Sequence, residues 1–314
     1  LPHVTAADSL TQPFASAAMS KLTAVDLSRL PAPDVVEELD YETIFAGMLS
    51  KLREYEPQFT ALTEADPAYK LLQVCALYVL HILQRVNDKA RAVLLAYARG
   101  SELDHLGALL GVTRRQLDPG DPVRGVPPTM EGDAELRRRI QLAPEGYSVA
   151  GPESAYVYHA LSAHPDVLDA SATSPSPGQV VVTLLARQGD GTANQALIDA
   201  VAAQLRDDSV RPLTDNVTVQ GAQIVPYSVH ATVYTYSGPD AALVLTEARR
   251  RLERYVAESH RLGRDVPLSG IYSALHAEGV QRVQLASPSE DLTIDRTQAA
   301  WCTGITIVAG GVDE

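Results

Sequence analysis

The sequence predicts an α+β chain, with an N-terminal long-helix bundle region followed by two small α/β layered domains. Three observations carry this. Between Asp66 and Gly100 the apolar residues Leu72, Cys75, Val79, Ile82, Val86, Ala90, Val93 and Tyr97 recur at alternating steps of three and four, a heptad-like seam. Val180–Arg187 and Tyr227–Tyr236 are rich in β-branched residues, and the second alternates with period two. Amphipathic stretches at Asn194–Leu205 and Ala241–Ser259 follow these strands. The expected division is an N-terminal extension at 1–21, a helical arm with core-bundle helices at 22–117 and a helical connector at 118–166. A first α/β domain then covers 167–225 and a second 226–314.

Composition removes several function classes. Net charge is −13, with 26 basic residues against 39 acidic, which argues against a general nucleic-acid binder because phosphate contacts need a basic surface. Three Phe and one Trp stand beside 13 Tyr, so large apolar anchors are few. Cys75 and Cys302 are far apart and form neither a CxxC nor a disulfide framework. No cofactor or metal is expected, and synthesis in the cytoplasm is the default. The best membrane candidate, Leu71–Leu83, falls short of the roughly 20 residues a span requires. No basic start followed by an apolar run marks a signal peptide. The first methionine is Met19, and residues 1–18, rich in Ala, Ser and Thr, read as an upstream extension.

In chain order, Asp26–Asp34 is a Pro-punctuated arm, extended because residues before proline avoid the helical region. Asp40 caps a helix over Tyr41–Tyr55 with Ile44, Phe45, Met48, Leu49 and Leu52 on one side, and Pro57 ends it. Asp66 is the expected N-cap of the long helix and Pro67 its first residue. From Ala68 to Ala98 it would run roughly 46 Å at 1.5 Å per residue, stopped by Gly100. Burying its eight seam side chains is worth about 10–20 kcal/mol gross, so the seam needs a partner. That partner is either the core of its own domain or helices of other chains. A short helix follows over Glu102–Leu110. Residues 118–132, with four prolines and three glycines, read as a loop and hinge. Asp133 caps a helix carrying Arg137, Arg138 and Arg139, and Gly151-Pro152 opens another over Glu153–Ala163.

At Val167 the character changes. Ser171–Gly178 reads as a Ser/Pro linker and second hinge. Val180–Arg187 is a strand, Gly189–Thr192 a turn with Thr192 capping the next helix, and Val217–Val219 a second short strand. Tyr227–Tyr236 sets Val229, Ala231, Val233 and Thr235 against Ser228, His230, Thr232 and Tyr234. Ala241–Ser259 is a helix, Ser269–Glu278 a shorter one, and Val280–Ala286 and Gly304–Val308 are strands. Each domain therefore sets helices on one face of a small sheet.

Catalytic signatures are sparse. Gly189-Asp190-Gly191 lacks the Lys-Ser/Thr of a phosphate loop, and His159 and His164 are five apart, not the four of a zinc helix. There is no GxSxG, and no spacing singles out a carboxylate pair for glycoside cleavage. Arg249, Arg250, Arg251, Arg254, Arg261 and Arg264 form the densest basic cluster. It is either a solvated face paired with Glu247, Glu253 and Glu258 or a contact with an acidic neighbour, including another copy of this chain.

Several stretches together resemble a known family. They are Asp26-Leu27-Ser28-Arg29-Leu30-Pro31-Ala32-Pro33-Asp34-Val35-Val36-Glu37-Glu38-Leu39-Asp40, Arg85-Val86-Asn87-Asp88-Lys89-Ala90-Arg91-Ala92-Val93 and Ser148-Val149-Ala150-Gly151-Pro152. Further on come Asp169-Ala170-Ser171-Ala172-Thr173-Ser174-Pro175-Ser176-Pro177, His260-Arg261-Leu262-Gly263-Arg264-Asp265 and Ile271-Tyr272-Ser273-Ala274-Leu275-His276-Ala277-Glu278-Gly279-Val280-Gln281-Arg282-Val283. Over about residues 22–309 the chain resembles the baseplate assembly protein J family of contractile-tailed phages and R-type pyocins. The resemblance implies a non-enzymatic baseplate wedge component. Two copies would bundle their long helices with tail protein I and then fork apart, while C-terminal domains link neighbouring copies into a ring around the hub. Implied partners are a second copy, tail protein I, and other baseplate wedge and sheath-initiating proteins, with no nucleic acid or membrane. The bundle seam would be Leu72, Cys75, Val79, Ile82, Val86, Val93 and Tyr97. Inter-copy contacts would fall on Arg250, Arg251, Arg254, Arg261 and Arg264. A tail-associated hydrolase and an assembly chaperone absent from the finished particle are the alternatives.

Overall fold

The computed structural model describes residues 27, 30, 39–58, 63–147, 151–207, 210–238 and 240–312. The extension at 1–21, most of the arm, Ser148–Ala150 and Pro239 lie outside the described residues. Within them the chain is the α+β protein the sequence predicts, helical first and then built on small sheets.

Helix α1, Tyr41–Tyr55, starts at Asp40, whose carboxylate accepts from the amides of Glu42 and Thr43 at 3.2 and 3.0 Å. The bond from the Thr43 hydroxyl, and then those from the Thr43 and Glu42 amides, hold the Asp40 carboxyl below its ordinary range. Phe45 is the buried residue of α1 and meets Tyr69 edge-on at 4.9 Å. Helix α2, Pro67–Ala92, begins with proline as expected, but Asp66 does not cap it. Its carboxylate accepts instead from the amide and hydroxyl of Thr63, at 2.7 and 3.0 Å, closing the preceding turn. The helix also stops short of Ala98 and is roughly 39 Å long. Arg137 explains the early stop. Its guanidinium donates to the carbonyls of Leu95 and Ala98 at 2.7 and 2.6 Å, satisfying backbone groups that a longer helix would have paired internally. Ala98 is thereby drawn into a small core with Leu103, Val112, Leu136 and Ile140.

Gly100, at φ +51°, opens helix α3, Gly100–Ala108, rather than closing α2. The segment read as a loop holds a two-stranded ribbon, β1 (Gln116–Asp118) with β2 (Thr129–Met130), antiparallel. Helix α4, Asp133–Leu142, has Gly132 and not Asp133 at its N-cap. Asp133 is spent on Arg114, at 2.7 Å, and on the Gly100 amide. A 3₁₀ turn, Ala143–Tyr147, leads towards α5, Glu153–Ala163.

The first sheet has order β3-β4-β5: Val167–Thr173 antiparallel to Gln179–Ala186, which runs parallel to Asn216–Gly221. Helix α6, Gln195–Leu205, supplies the crossover. Asn194 caps it by accepting from the Leu197 amide at 2.8 Å, the role expected of Thr192. Ala170, Ala172, Val182, Leu184, Val201 and Leu205 form one core with α5. Strand β3 corrects the linker reading at 171–173.

The second sheet has order β7-β6-β8. Strand β6 (Gln223–Thr235) pairs antiparallel with β7 (Val280–Ser287) and parallel with β8 (Gln298–Val312). The period-two reading holds: Val229, Ala231, Val233 and Thr235 are buried, and the intervening residues are not. Helices α7 (Ala241–Ser259) and α8 (Leu268–Leu275) cover the buried face with Val244, Leu252, Ile271 and Leu275. Leu252 is fully buried there. Leu252→Ala is expected to cost about 2–5 kcal/mol, through lost transfer energy plus the cavity left behind, read as a lower urea midpoint.

Candidate functional site

Helix α2 is apolar on two faces. Leu72, Ala76, Val79, Leu80, Leu83, Asn87 and Ala90 are half-buried or buried, turned towards the rest of the chain. Roughly 120° round the helix, at 100° per residue, a second stripe faces solvent. Its members are Leu71 (65% exposed), Tyr78 (66%), Ile82 (58%) and Val86 (58%), with Cys75 between them and Val74 at its margin. Steps of four, three, four and four keep these residues in line on one side. The stripe is contiguous and on a rigid element, which separates it from scattered surface apolars that need no explanation.

The seam read from sequence falls between these faces. Leu72, Val79 and Ala90 lie on the inward side, while Cys75, Ile82 and Val86 lie on the outward one. Val93 and Tyr97 lie beyond the helix altogether. Val93 is exposed in the following turn, and the Tyr97 hydroxyl donates to the Leu30 carbonyl at 2.9 Å. Leu71 and Tyr78, missed by the heptad count, belong to the outward stripe. Their signal was the i, i+4, i+7, i+11 spacing from Leu71.

The second notable region is the junction of the two α/β units with α4. The three consecutive arginines of α4 point to three places. Arg137 caps the end of the α2 segment. Arg138 donates to Asp169 at 2.7 Å, and Arg139 donates to the buried Glu131 at 2.7 Å. Asp169 on β3 is 4% exposed and also accepts from the amides of Ala170, at 2.9 Å, and Leu262, at 3.1 Å. It therefore ties α4, β3 and the α7–α8 connection together. Arg187 clamps Glu135 with two bonds of 2.8 and 2.7 Å. Ser171 donates to the Arg296 carbonyl at 2.6 Å, and Arg296 pairs with Glu153. Burial pushes the Arg115 guanidinium down to about 10, with Arg139 nearby adding repulsion. Beside this junction opens a cleft of about 920 Å³, lined among others by Arg138, Asp169, Ser171, Leu262, Asp265 and Arg296.

The basic cluster of α7 and the turn that follows it divides. Arg250 and Arg251 both pair with Glu247, at 2.6 and 3.0 Å, and Arg249 approaches Glu253 at 3.8 Å. Arg254 is exposed, and Arg264, also exposed, donates to the Glu258 carbonyl at 2.8 Å. Arg261 is turned inward instead: it donates to the Leu168 carbonyl at 3.0 Å, within the junction, and burial lowers its pKa. Bonds from Arg250 and then Arg251 hold the Glu247 carboxyl down to about 2. A carboxyl lowered in the folded state adds stability above its unfolded range, about 4.3, and loses it as pH falls towards 2. An NMR titration of Glu247 is expected to show a midpoint near that value, and Arg250→Ala should raise it.

Among the described residues no three His, Cys, Asp or Glu side chains converge as a metal group, and no helix is long and apolar enough to cross a membrane. His159 is half-buried on α5, and burial lowers its pKa.

Comparison with known proteins places this architecture. The Baseplate J-like N-terminal, central and C-terminal domains match residues 64–121, 148–221 and 227–308. The first match contains α2 with its outer stripe, the second contains the first sheet, and the third covers β7 with most of β6 and β8. Over 300 residues the chain is 47% identical to Baseplate protein J of Escherichia phage P2, across 92% of this chain and 99% of that protein. It also resembles a chain in the cryo-EM structure of the anti-feeding prophage baseplate. That likeness has a TM-score of 0.39 and 13% identity, over 58% of this chain and 44% of the other, and is too slight to carry an argument. With three domain matches in order and nearly half its residues shared with a full-length relative, the chain belongs to the Baseplate J-like family of phage baseplate proteins.

Proposed function

We propose that this chain is a structural wedge component of the baseplate of a contractile injection particle, a phage tail or an R-type pyocin, with no catalytic role. The observation that supports it is the outward stripe of α2. A long helix packed on its own chain through one face, and apolar on a second, is built to enter a bundle with helices of other chains. The partners of that bundle are a second copy and tail protein I. Wedge and sheath-initiating proteins are the further neighbours. The parts divide at about 117/118, 166/167 and 225/226 into bundle helices, connector and two α/β units, with residues 1–21 as an extension. The two α/β units link neighbouring copies, and the outward-facing Arg250, Arg251, Arg254 and Arg264 supply contacts to an acidic neighbour.

This division of labour has a physical basis. An apolar bundle is costly to open, whereas small polar interfaces rearrange at lower cost. The test is a native mass measurement of the full chain co-expressed with tail protein I. A complex holding both chains is expected, and separate species would contradict the reading. A chaperone that leaves the particle would be missing from purified baseplates, where this chain is expected to be found.

A further inference from the structure

A smaller cavity lies where α4, the loop before β3, the end of β4 and the turn after α7 meet. It holds about 80 Å³ and is lined by Arg115, Arg138, Arg139, Arg187 and Arg261 together with Glu131 and Glu135. The carboxylates nearby are already engaged: Glu131 by Arg139, Glu135 by Arg187, and Asp169 by Arg138, all at 2.7 Å. Asp166 also acts on Arg187 but lies outside the lining. Arg115 and Arg261 have no carboxylate partner among the described residues and rest on backbone carbonyls alone. Arg115 donates through Nη1 to Leu161 and, at 3.2 Å, to His164, and Arg261 donates through Nη1 to Leu168 at 3.0 Å. A guanidinium has five N–H donors, so Nε and Nη2 of both arginines remain for another acceptor. Arg139 is 9% exposed, and its buried Nε has no partner among the described residues.

This crowding of like charge is unfavourable as it stands. Burial, and then repulsion from Arg139 and Arg187, outweighs the attraction of Glu131 at Arg115, whose pKa falls to about 10. Burial also lowers the pKa of Arg261, with Arg138 and Arg187 adding repulsion against the pull of Asp169 and Glu135. A bound anion reverses the balance at both. We propose that the cavity is a binding site for one small tetrahedral oxyanion of the phosphate or sulfate class, held by Arg115 and Arg261 with the Nε of Arg139 as a further donor. Guanidinium forks match the oxygens of such an ion two at a time, which a point charge does not. Size narrows the class further. A water needs about 10–15 Å³ of such space, so there is room for one such ion. The cavity is far below the roughly 300 Å³ or more of sites for drug-sized ligands, which rules out a nucleotide. The arginines come from the segment before β1, from α4, from the end of β4 and from the turn after α7, so the ion ties the connector to both α/β units.

Isothermal titration calorimetry of the full chain with inorganic phosphate, at an ionic strength fixed with sodium chloride, is expected to show one saturable site per chain for which sulfate competes. The double variant Arg115→Gln/Arg261→Gln is expected to weaken binding about tenfold or more, with the circular dichroism unchanged. Phenylglyoxal labelling locates the site in the unsubstituted chain. Phosphate is expected to slow modification of Arg115 and Arg261 and to leave the exposed Arg254 unaffected, read by peptide mass spectrometry. Absence of saturable binding by either ion would overturn the proposal and mean that water alone fills the cavity. Binding that survives the double substitution in a folded chain, or that protects Arg254 equally, would put the ion elsewhere and overturn it too. If the double variant does not fold, the protection pattern of the unsubstituted chain decides.

Discussion

Ile82→Asp is expected to leave the isolated chain folded and to prevent its entry into the wedge. Ile82 is 58% exposed and belongs to none of the core clusters among the described residues, so the free chain loses little when a carboxylate replaces it. In the assembled bundle the same carboxylate would be enclosed among apolar side chains, at a cost of several kcal/mol unless it is protonated or paired. The expected result is an unchanged melting transition with loss of copurification with tail protein I. Val79→Asp, the obvious choice from the heptad count, is a weaker tool because Val79 is half-buried on the inward face. Its failure to assemble would not separate a lost partner from a loosened helix. Normal wedges containing Ile82→Asp would remove α2's outer face from the bundle.

Asp169→Ala is expected to be the most damaging single change in the α/β half. It strips the acceptor from Arg138 and from the Leu262 amide together, in a place with little access to water. Breaking a buried pair from one side typically costs about 3–5 kcal/mol, because the remaining charge stays desolvated. Arg138 keeps 38% of its side chain exposed, so the lower end, about 3 kcal/mol, applies here. Asp169→Asn retains an acceptor for the amide and should lose less. A urea titration following the Trp301 fluorescence reads both, since Trp301 packs edge-on to His260 beside this junction at 5.0 Å. A loss below about 1 kcal/mol for the alanine variant would mean that water replaces the carboxylate and that the units are not latched there.

How much was legible in the sequence depended on whether a residue's partner lay nearby in the chain. Helix α7 has the ends the sequence predicts because its amphipathic pattern is a local signal. Strand β6 was legible because one side of it is buried and the other is not. The end of strand β3, 171–173, reads as a linker because its core-facing residue there is only Ala172 and its neighbours are polar. Asp169 and Ser171 are buried there only because Arg138, Leu262 and Arg296 come from distant segments to meet them. The sequence predicts strand β8 only over Gly304–Val308, since glycines such as Gly304 and Gly311 look like turn residues until β6 pairs with them. The end of α2 was misplaced for a similar reason, an arginine from α4. The candidate site was half legible. A heptad count finds that the helix is apolar, but apolar residues cover more than one face, so it does not say which of them the chain itself uses.

Cys75 offers the most direct measurement, because it sits within the outward stripe and is exposed in the free chain. Alkylation of native, unsubstituted protein should label Cys75 rapidly in the isolated chain and much more slowly in assembled baseplates, read by mass spectrometry of the peptide that contains it. Cys302, half-buried on β8, serves as the internal reference. Protection of Cys75 on assembly, with little change at Cys302, is the result expected if α2 is buried between chains. Equal labelling of Cys75 in the free and assembled states would contradict it.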